Sequence, residues 1–310
     1  MEPVRVVASR VLGDPGTVCS AKVKPANLDR HMSKCRMRHQ TRDGKDDVRD
    51  QVSTMSRITS ELHAAIEHKN ADEVQRVLES GPGAATVHGS AFGSPLHHTI
   101  NSAITGLFKP PGGGQGRTLV EEDAQPGIVR QLLAANADVR GTDEQGLTPL
   151  LLSARIGCAG ALEVLLQANP DLSQRSPDGH EAIHLAALND AVPALTLLLA
   201  AGVDADRQNA VGNTPLNIAV SCGWTESARY LLEHGANANI ANRDDYYPLH
   251  WAAFDGNLQL GQLLLDHLAD ATLKDDRGHS PSDEARRKGH SEMVDLLERG
   301  AASGRIGETG

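Results

Sequence analysis

A chain of 310 residues with 39% hydrophobic content can bury a sizeable core in one large or two small domains, which excludes disorder throughout. Only 3% of the residues are aromatic, so that core must be built from Leu, Ala, Val and Ile in thin layers. The formal net charge of -10 is unevenly spread: 11 Lys/Arg stand against 7 Asp/Glu in residues 1–50, and 19 against 33 after them, which argues against nucleic acid along the acidic main surface.

Residues 1–57 read as a basic, largely disordered tail. Met1 to Gly16 holds no continuous apolar run, and no later run approaches the roughly 18 residues that a membrane span needs. Cys19, Cys35, Cys158 and Cys222 lie too far apart for a secreted disulfide framework, which points to a reducing compartment, expected to be the cytoplasm with the nucleus left open. Between Lys22 and Arg42 the only acid is Asp29, so this stretch is either a solvated basic tail or a contact for an anionic partner such as nucleic acid. Cys19, His31, Cys35 and His39 form C-x11-H-x3-C-x3-H, and Asn27 to His31 resembles the helix of a C2H2 or C2HC zinc finger, which implies zinc held by those four side chains. The pattern departs from the family: Gly16 stands where a first C-x2-C cysteine belongs, and a rigid helix strains to aim His31, Cys35 and His39 at one ion. An incidental cluster in a mobile tail is the alternative.

From residue 58 the chain is periodic. Thr148-Pro149, Glu181-Ala182, Thr214-Pro215, Tyr247-Pro248 and Ser280-Pro281 follow one another at 33-residue steps. Each pair opens an apolar helical stretch, with a cap for free N–H groups followed by a residue suited to the first helical position. Gly157, Gly223, Gly256 and Gly289 recur at one phase, with Asp190 in the missing place, and mark the turn into a second helix. That helix carries Leu165-Leu166, Leu198-Leu199, Leu231-Leu232 and Leu264-Leu265 and ends at Asn169, Gly202 and Gly235, residues that tolerate a left-handed terminus. Two earlier units are legible in Ser60 to Ala65 and Ser94 to His97, giving about seven in all. Extra residues near 107–126 separate the two helices of the second unit. The last unit, Ser280 to Arg286, is polar where the others are apolar, as a water-facing cap requires. Residues 301–310 read as a disordered tail.

Tyr247-Pro248-Leu249-His250-Trp251-Ala252 approaches T-P-L-H-x-A, and the helix, turn, helix and hairpin-like loop layout over residues 58–300 resembles the ankyrin repeat. The resemblance implies an all-α solenoid that binds protein on its loop tips and concave face and catalyses nothing. It also assigns His63, His97, His184 and His250, which share one repeat position, to bonds that tie neighbouring loops rather than to catalysis.

Chemistry finds little support beside this. Pro110 to Thr118 is glycine-rich but lacks phosphate-loop spacing and follows no strand. Ser153, Ser221, Cys158 and Cys222 have no His/Asp partner at a recognisable spacing. No catalytic residue and no cofactor beyond the zinc of the tail is expected.

Phase marks the positions that stacking leaves to a partner: Glu144, Gln145, Leu147 and Arg155 in the third unit; Asp178, His180, Leu188 and Asn189 in the fourth; Asn213 and Ser221 in the fifth, beside Ala210 and Val211; and Arg243, Asp244, Tyr246, Phe254 and Asp255 in the sixth. Six of the eight rings fall between residues 224 and 254, and interface hot spots favour such side chains. Trp251 and Tyr230 stand where the repeat packs Leu, so part of this cluster belongs to the core. The downstream charge suggests a protein partner with basic residues.

Overall fold

The computed structural model describes residues 44–81, 83–86, 94–102 and 126–304. Two compact units divide the chain, Met1–Arg57 and Ile58–Gly310. In the first, the described part is the beginning of helix α1 (Gly44–Glu67). Cys19, His31, Cys35, His39 and the basic stretch between Lys22 and Arg42 lie outside the described residues, as do positions 107–125 of the insertion expected near 107–126 and residues 305–310.

The second unit is built from helix pairs. After α1 come α2 (Ala71–Ser80), α3 (Pro95–Asn101), α4 (Pro126–Ala134), α5 (Pro149–Ile156), α6 (Ala159–Gln167), α7 (Ala182–Leu188) and α8 (Val192–Ala200). Then follow α9 (Pro215–Ser221), α10 (Thr225–Glu233), α11 (Pro248–Asp255), α12 (Leu258–Asp266), α13 (Pro281–Lys288) and α14 (Ser291–Gly304). The described residues contain no strand.

Each repeat-opening pair starts a helix as its chemistry dictates. Thr148 and Thr214 accept hydrogen bonds from the backbone N–H of Leu151 and Asn217, and Pro149 and Pro215 fill the first position, where a missing N–H costs nothing. Gly157, Gly223, Gly256 and Gly289 all have positive φ, and so does Asp190 in their stead. The first unit differs from expectation: α1 runs unbroken through Ser60 and begins at Gly44, because the intervening sequence has neither Pro nor Gly to stop it. The last helix likewise continues to Gly304, past residue 300.

Helices α3, α5, α7, α9, α11 and α13 pack side by side as one row, and α2, α4, α6, α8, α10, α12 and α14 as a second. The first leucine of each pair, Leu165, Leu198, Leu231 and Leu264, is buried together with Leu162 and Leu195, while Leu166, Leu199 and Leu265 pack partly against the core; each fully buried side chain contributes about 2 kcal/mol by leaving water. No helix pair closes a core alone, so stability is shared between neighbours. The cap unit follows the polar pattern with one correction. Glu284 is buried, because Arg287 one turn later neutralises its carboxylate.

Candidate functional site

Between successive pairs the chain makes a hairpin-like turn closed by its own side chain. Asp143 Oδ1 accepts from the N–H groups of Gln145 and Leu147, and Asn209, Asn242 and Asp275 do the same two and four residues on, at 2.8–3.0 Å. Ser176 supplies the equivalent bond to His180 N–H at 3.1 Å. Short polar side chains that capture the following backbone are the usual makers of such turns. Their recurrence at 143, 176, 209, 242 and 275 is a sequence signal that the helix-based reading passes over.

Neighbouring turns are stitched together twice. Ala210 N–H donates to Gly179 O, Arg243 N–H to Val211 O and Asp276 N–H to Asp244 O, at 3.2–3.3 Å. Beneath them three of the four repeat histidines act as the resemblance implies, while His63 packs edge-on to His98 with ring centroids 4.9 Å apart. His97, His184 and His250 donate from Nε2 to the carbonyls of Leu147, Arg207 and His279 at 2.8, 2.9 and 3.0 Å. Their Nδ1 atoms accept from the cap N–H of Ser94, Glu181 and Tyr247, which fixes the neutral tautomer. Burial depresses the His184 pKa to about 4 and lowers that of His250. Asn217 replaces the histidine in the fifth unit and donates Nδ2 to Ile240 O at 3.0 Å.

This scaffold positions the expected contact residues. Glu144 and Gln145 are exposed at the third turn, where Gln145 Oε1 accepts from Arg155 Nη1 at 2.5 Å. Leu147 is a correction: it is 3% exposed, because its carbonyl receives His97 and its side chain completes the apolar contact with the core. Asp178 is exposed, whereas His180 is half-buried edge-on to His184, and burial lowers its pKa. Leu188 ends α7 at 38% exposure and lends its carbonyl to Trp224 Nε1, while Asn189 caps back onto Leu185 O. Asn213 and Ser221 are half-buried, the latter bonded to Ile218 O. Val211, at 53% exposure, is the most open apolar side chain of the turns.

In the sixth unit Arg243, Asp244 and Asp255 are exposed and the rings of Tyr246 and Phe254 are half-buried. Tyr246 packs on His250 and edge-on to Trp251 with centroids 4.9 and 4.7 Å apart, and burial beside Glu284 raises its phenol pKa. Phe254 carries Lys288 Nζ 3.6 Å above its ring, a cation that the sequence reading leaves out. Burial raises the Asp255 pKa against the pull of His290 and Lys288. Trp251 and Tyr230 pack partly against the core, as Leu-like positions should.

A second charged feature was not anticipated. Glu181 occupies the capping place of Thr, is 1% exposed, and is held by Arg175 (Nη2–Oε1 2.9 Å) and Arg207 (Nε–Oε2 2.8 Å) from the turns on either side. Such an anion at a helix N-terminus also suits the helix dipole. The possible nucleophiles are poorly placed for chemistry. Ser153 is buried on Leu150 O, Cys158 is buried, and burial pushes the Cys222 thiol up, away from the reactive thiolate. Among the described residues no group of His, Cys, Asp or Glu is arranged to hold a metal ion, and no helix is long and apolar enough to cross a membrane.

The family model described as "Ankyrin repeats (3 copies)" matches residues 120–209, 158–242 and 183–275, which together span half of the chain. No curated protein sequence matches. Among solved structures, the chain is similar to the crystal structure of the ankyrin repeat domain of Bcl-3, described as a unique member of the IkappaB protein family, with 27% identity and a TM-score of 0.63. The likeness covers 77% of this chain and 97% of that one. With turns, paired helices and loop-tying histidines agreeing with the sequence match, the chain belongs to the ankyrin repeat family.

Proposed function

We propose that this protein is a non-enzymatic scaffold or adaptor that captures a partner protein on its hairpin-like turns and the concave, first-row face of the third to sixth repeats. The observation that carries the reading is the exposure, along one side of a rigid stack, of Leu188 and Val211 beside the half-buried Tyr246 and Phe254. Apolar and aromatic side chains fixed on a stiff framework lose little freedom when a partner covers them. Asp178, Asp244 and Asp255 border them, so the partner carries basic residues. The chemistry of the cysteines supports a reducing, cytoplasmic setting.

The test is affinity capture with the full chain and with a Tyr246→Ala/Phe254→Ala variant, each first checked for unchanged helicity. Partner affinity should fall by about 2 kcal/mol or more in the variant. Undiminished affinity at full helicity would remove these rings from the interface, and if Leu188→Asp and Val211→Asp were equally silent, the surface assignment would fail.

A further inference from the structure

The turns set a register that a partner must match. They are hairpins in miniature: Ser176 N–H donates to His180 O, Asn209 to Asn213 O, Asn242 to Tyr246 O and Asp275 to His279 O, at 2.8–3.1 Å. Each is joined to the next by a backbone bond, Ala210 to Gly179, Arg243 to Val211 and Asp276 to Asp244. Two strand-to-strand steps therefore separate like positions in successive turns. Strands joined by such bonds lie about 4.8 Å apart, so like positions recur about every 10 Å.

The third residue of each four-residue turn sits at the tip, Gln145 in the turn at 143–146, and the four later turns are the ones joined by the backbone bonds above. In order their third residues are Asp178, Val211, Asp244 and Arg277, all exposed. The row thus presents an acid, an apolar side chain and a second acid, the two acids about 20 Å apart. Arg277 contributes little net charge, since Asp276 lies 3.8 Å from it. Among the described residues, the ion pairs of the turns and the last unit engage Glu181, Asp275, Asp276, Asp283, Glu284 and Glu298, and neither Asp178 nor Asp244. In the sixth turn Asp244 and its exposed neighbour Asp245 outnumber Arg243, so the local charge stays negative.

A segment in the polyproline II conformation advances about 3.1 Å per residue and returns every third side chain to one face, so about three residues cover one repeat and about six cover the distance between the acids. Building on the scaffold function above, we propose that the row of turns reads a polyproline II segment of the partner protein in which two Lys or Arg residues stand six positions apart with an apolar residue midway. The cations face Asp178 and Asp244, and the apolar residue covers Val211. A helical segment would place the same two cations only about 9 Å apart and miss the second acid.

The experiment is selection from a display library of random peptides on the immobilised full chain, followed by sequencing. Enriched peptides should carry Lys or Arg at i and i+6 with an apolar residue at i+3. An Asp178→Lys/Asp244→Lys variant, altered only at exposed side chains, should capture them about tenfold less well and instead enrich acids at the same separation. Enrichment without that separation, no enrichment at all, or capture unmoved by the charge reversal would overturn the proposal. Peptides that ignore the reversal but are lost on Leu188→Asp or on the Tyr246/Phe254 double substitution would leave the scaffold reading standing and sink this one alone.

Discussion

The fourth and fifth repeats hold one backbone geometry with opposite chemistry. In the fourth, an ionised cap, Glu181, is clamped by Arg175 and Arg207, and a neutral histidine ties the next turn. In the fifth, Thr214 caps and Asn217 ties, with no titratable group in either role. The difference teaches that the fold demands an acceptor at the cap and a donor to the next loop, and is indifferent to which residue supplies them. What it does not leave indifferent is the response to pH and to substitution.

The largest effect should be common to both repeats, since both depend on the same packing. Leu195→Ala in the fourth and Leu231→Ala in the fifth each empty a fully buried site and should cost about 2–5 kcal/mol, read from urea unfolding. A cost confined to one of them would mean that the rows do not share load.

Acid should separate the two. His184 has a folded-state pKa of about 4 against an ordinary 6.5, so it is neutral when folded and takes up a proton more readily once unfolded. Its contribution is therefore present above pH 6.5 and is lost as pH falls from there towards 4, amounting to about 3 kcal/mol at the lower end. His184→Asn, which transplants the solution of the fifth repeat, should flatten that part of the stability profile. Asn217→His should steepen it. Equal acid sensitivity in the native chain and His184→Asn would contradict the assignment.

The cap comparison comes next in size. Thr214→Glu places an anion where no arginine pair is waiting and should cost about 1–2 kcal/mol, whereas Glu181→Thr restores the usual cap while leaving two half-exposed arginines to water, and should cost less than about 1 kcal/mol. Thermal denaturation of the two single variants ranks them directly.

The smallest expected effect has the opposite sign. Leu268 takes the left-handed place that Gly202 and Gly235 hold in the two preceding repeats, with φ of 63° and 84% exposure. Leu268→Gly relieves that conformation at little loss of burial and should stabilise by about 0.5–1 kcal/mol.

Much of this was legible because a repeat writes its geometry into the sequence. The 33-residue step located α5, α7, α9, α11 and α13, the positive-φ glycines and the loop-tying histidines, each of which follows from backbone needs that recur. Phase gives a position but not the direction of its side chain. Leu147 shares a phase with His180, Asn213 and Tyr246, yet being apolar it turns into the core. The clamp on Glu181 joins two residues 26 positions apart in neighbouring turns through Arg207, and a period describes equivalence between repeats rather than contact between unlike positions. Lys288 over Phe254 escaped for the same reason, although one repeat length plus one residue separates them. The degenerate unit at Ser60 to Ala65 shows no helix start of its own, because it lies within an unbroken helical stretch.

The central claim is that partners are held by the turns and first-row helices of the third to sixth repeats. Hydrogen exchange on the full chain, alone and saturated with a captured partner protein, tests it most directly. The account predicts added protection across the turns at 176–179, 209–212 and 242–245 and at the ends of α7 and α11, with α8, α10 and α12 unchanged. Protection confined to those second-row helices, with the turns exchanging as in the free chain, would contradict it.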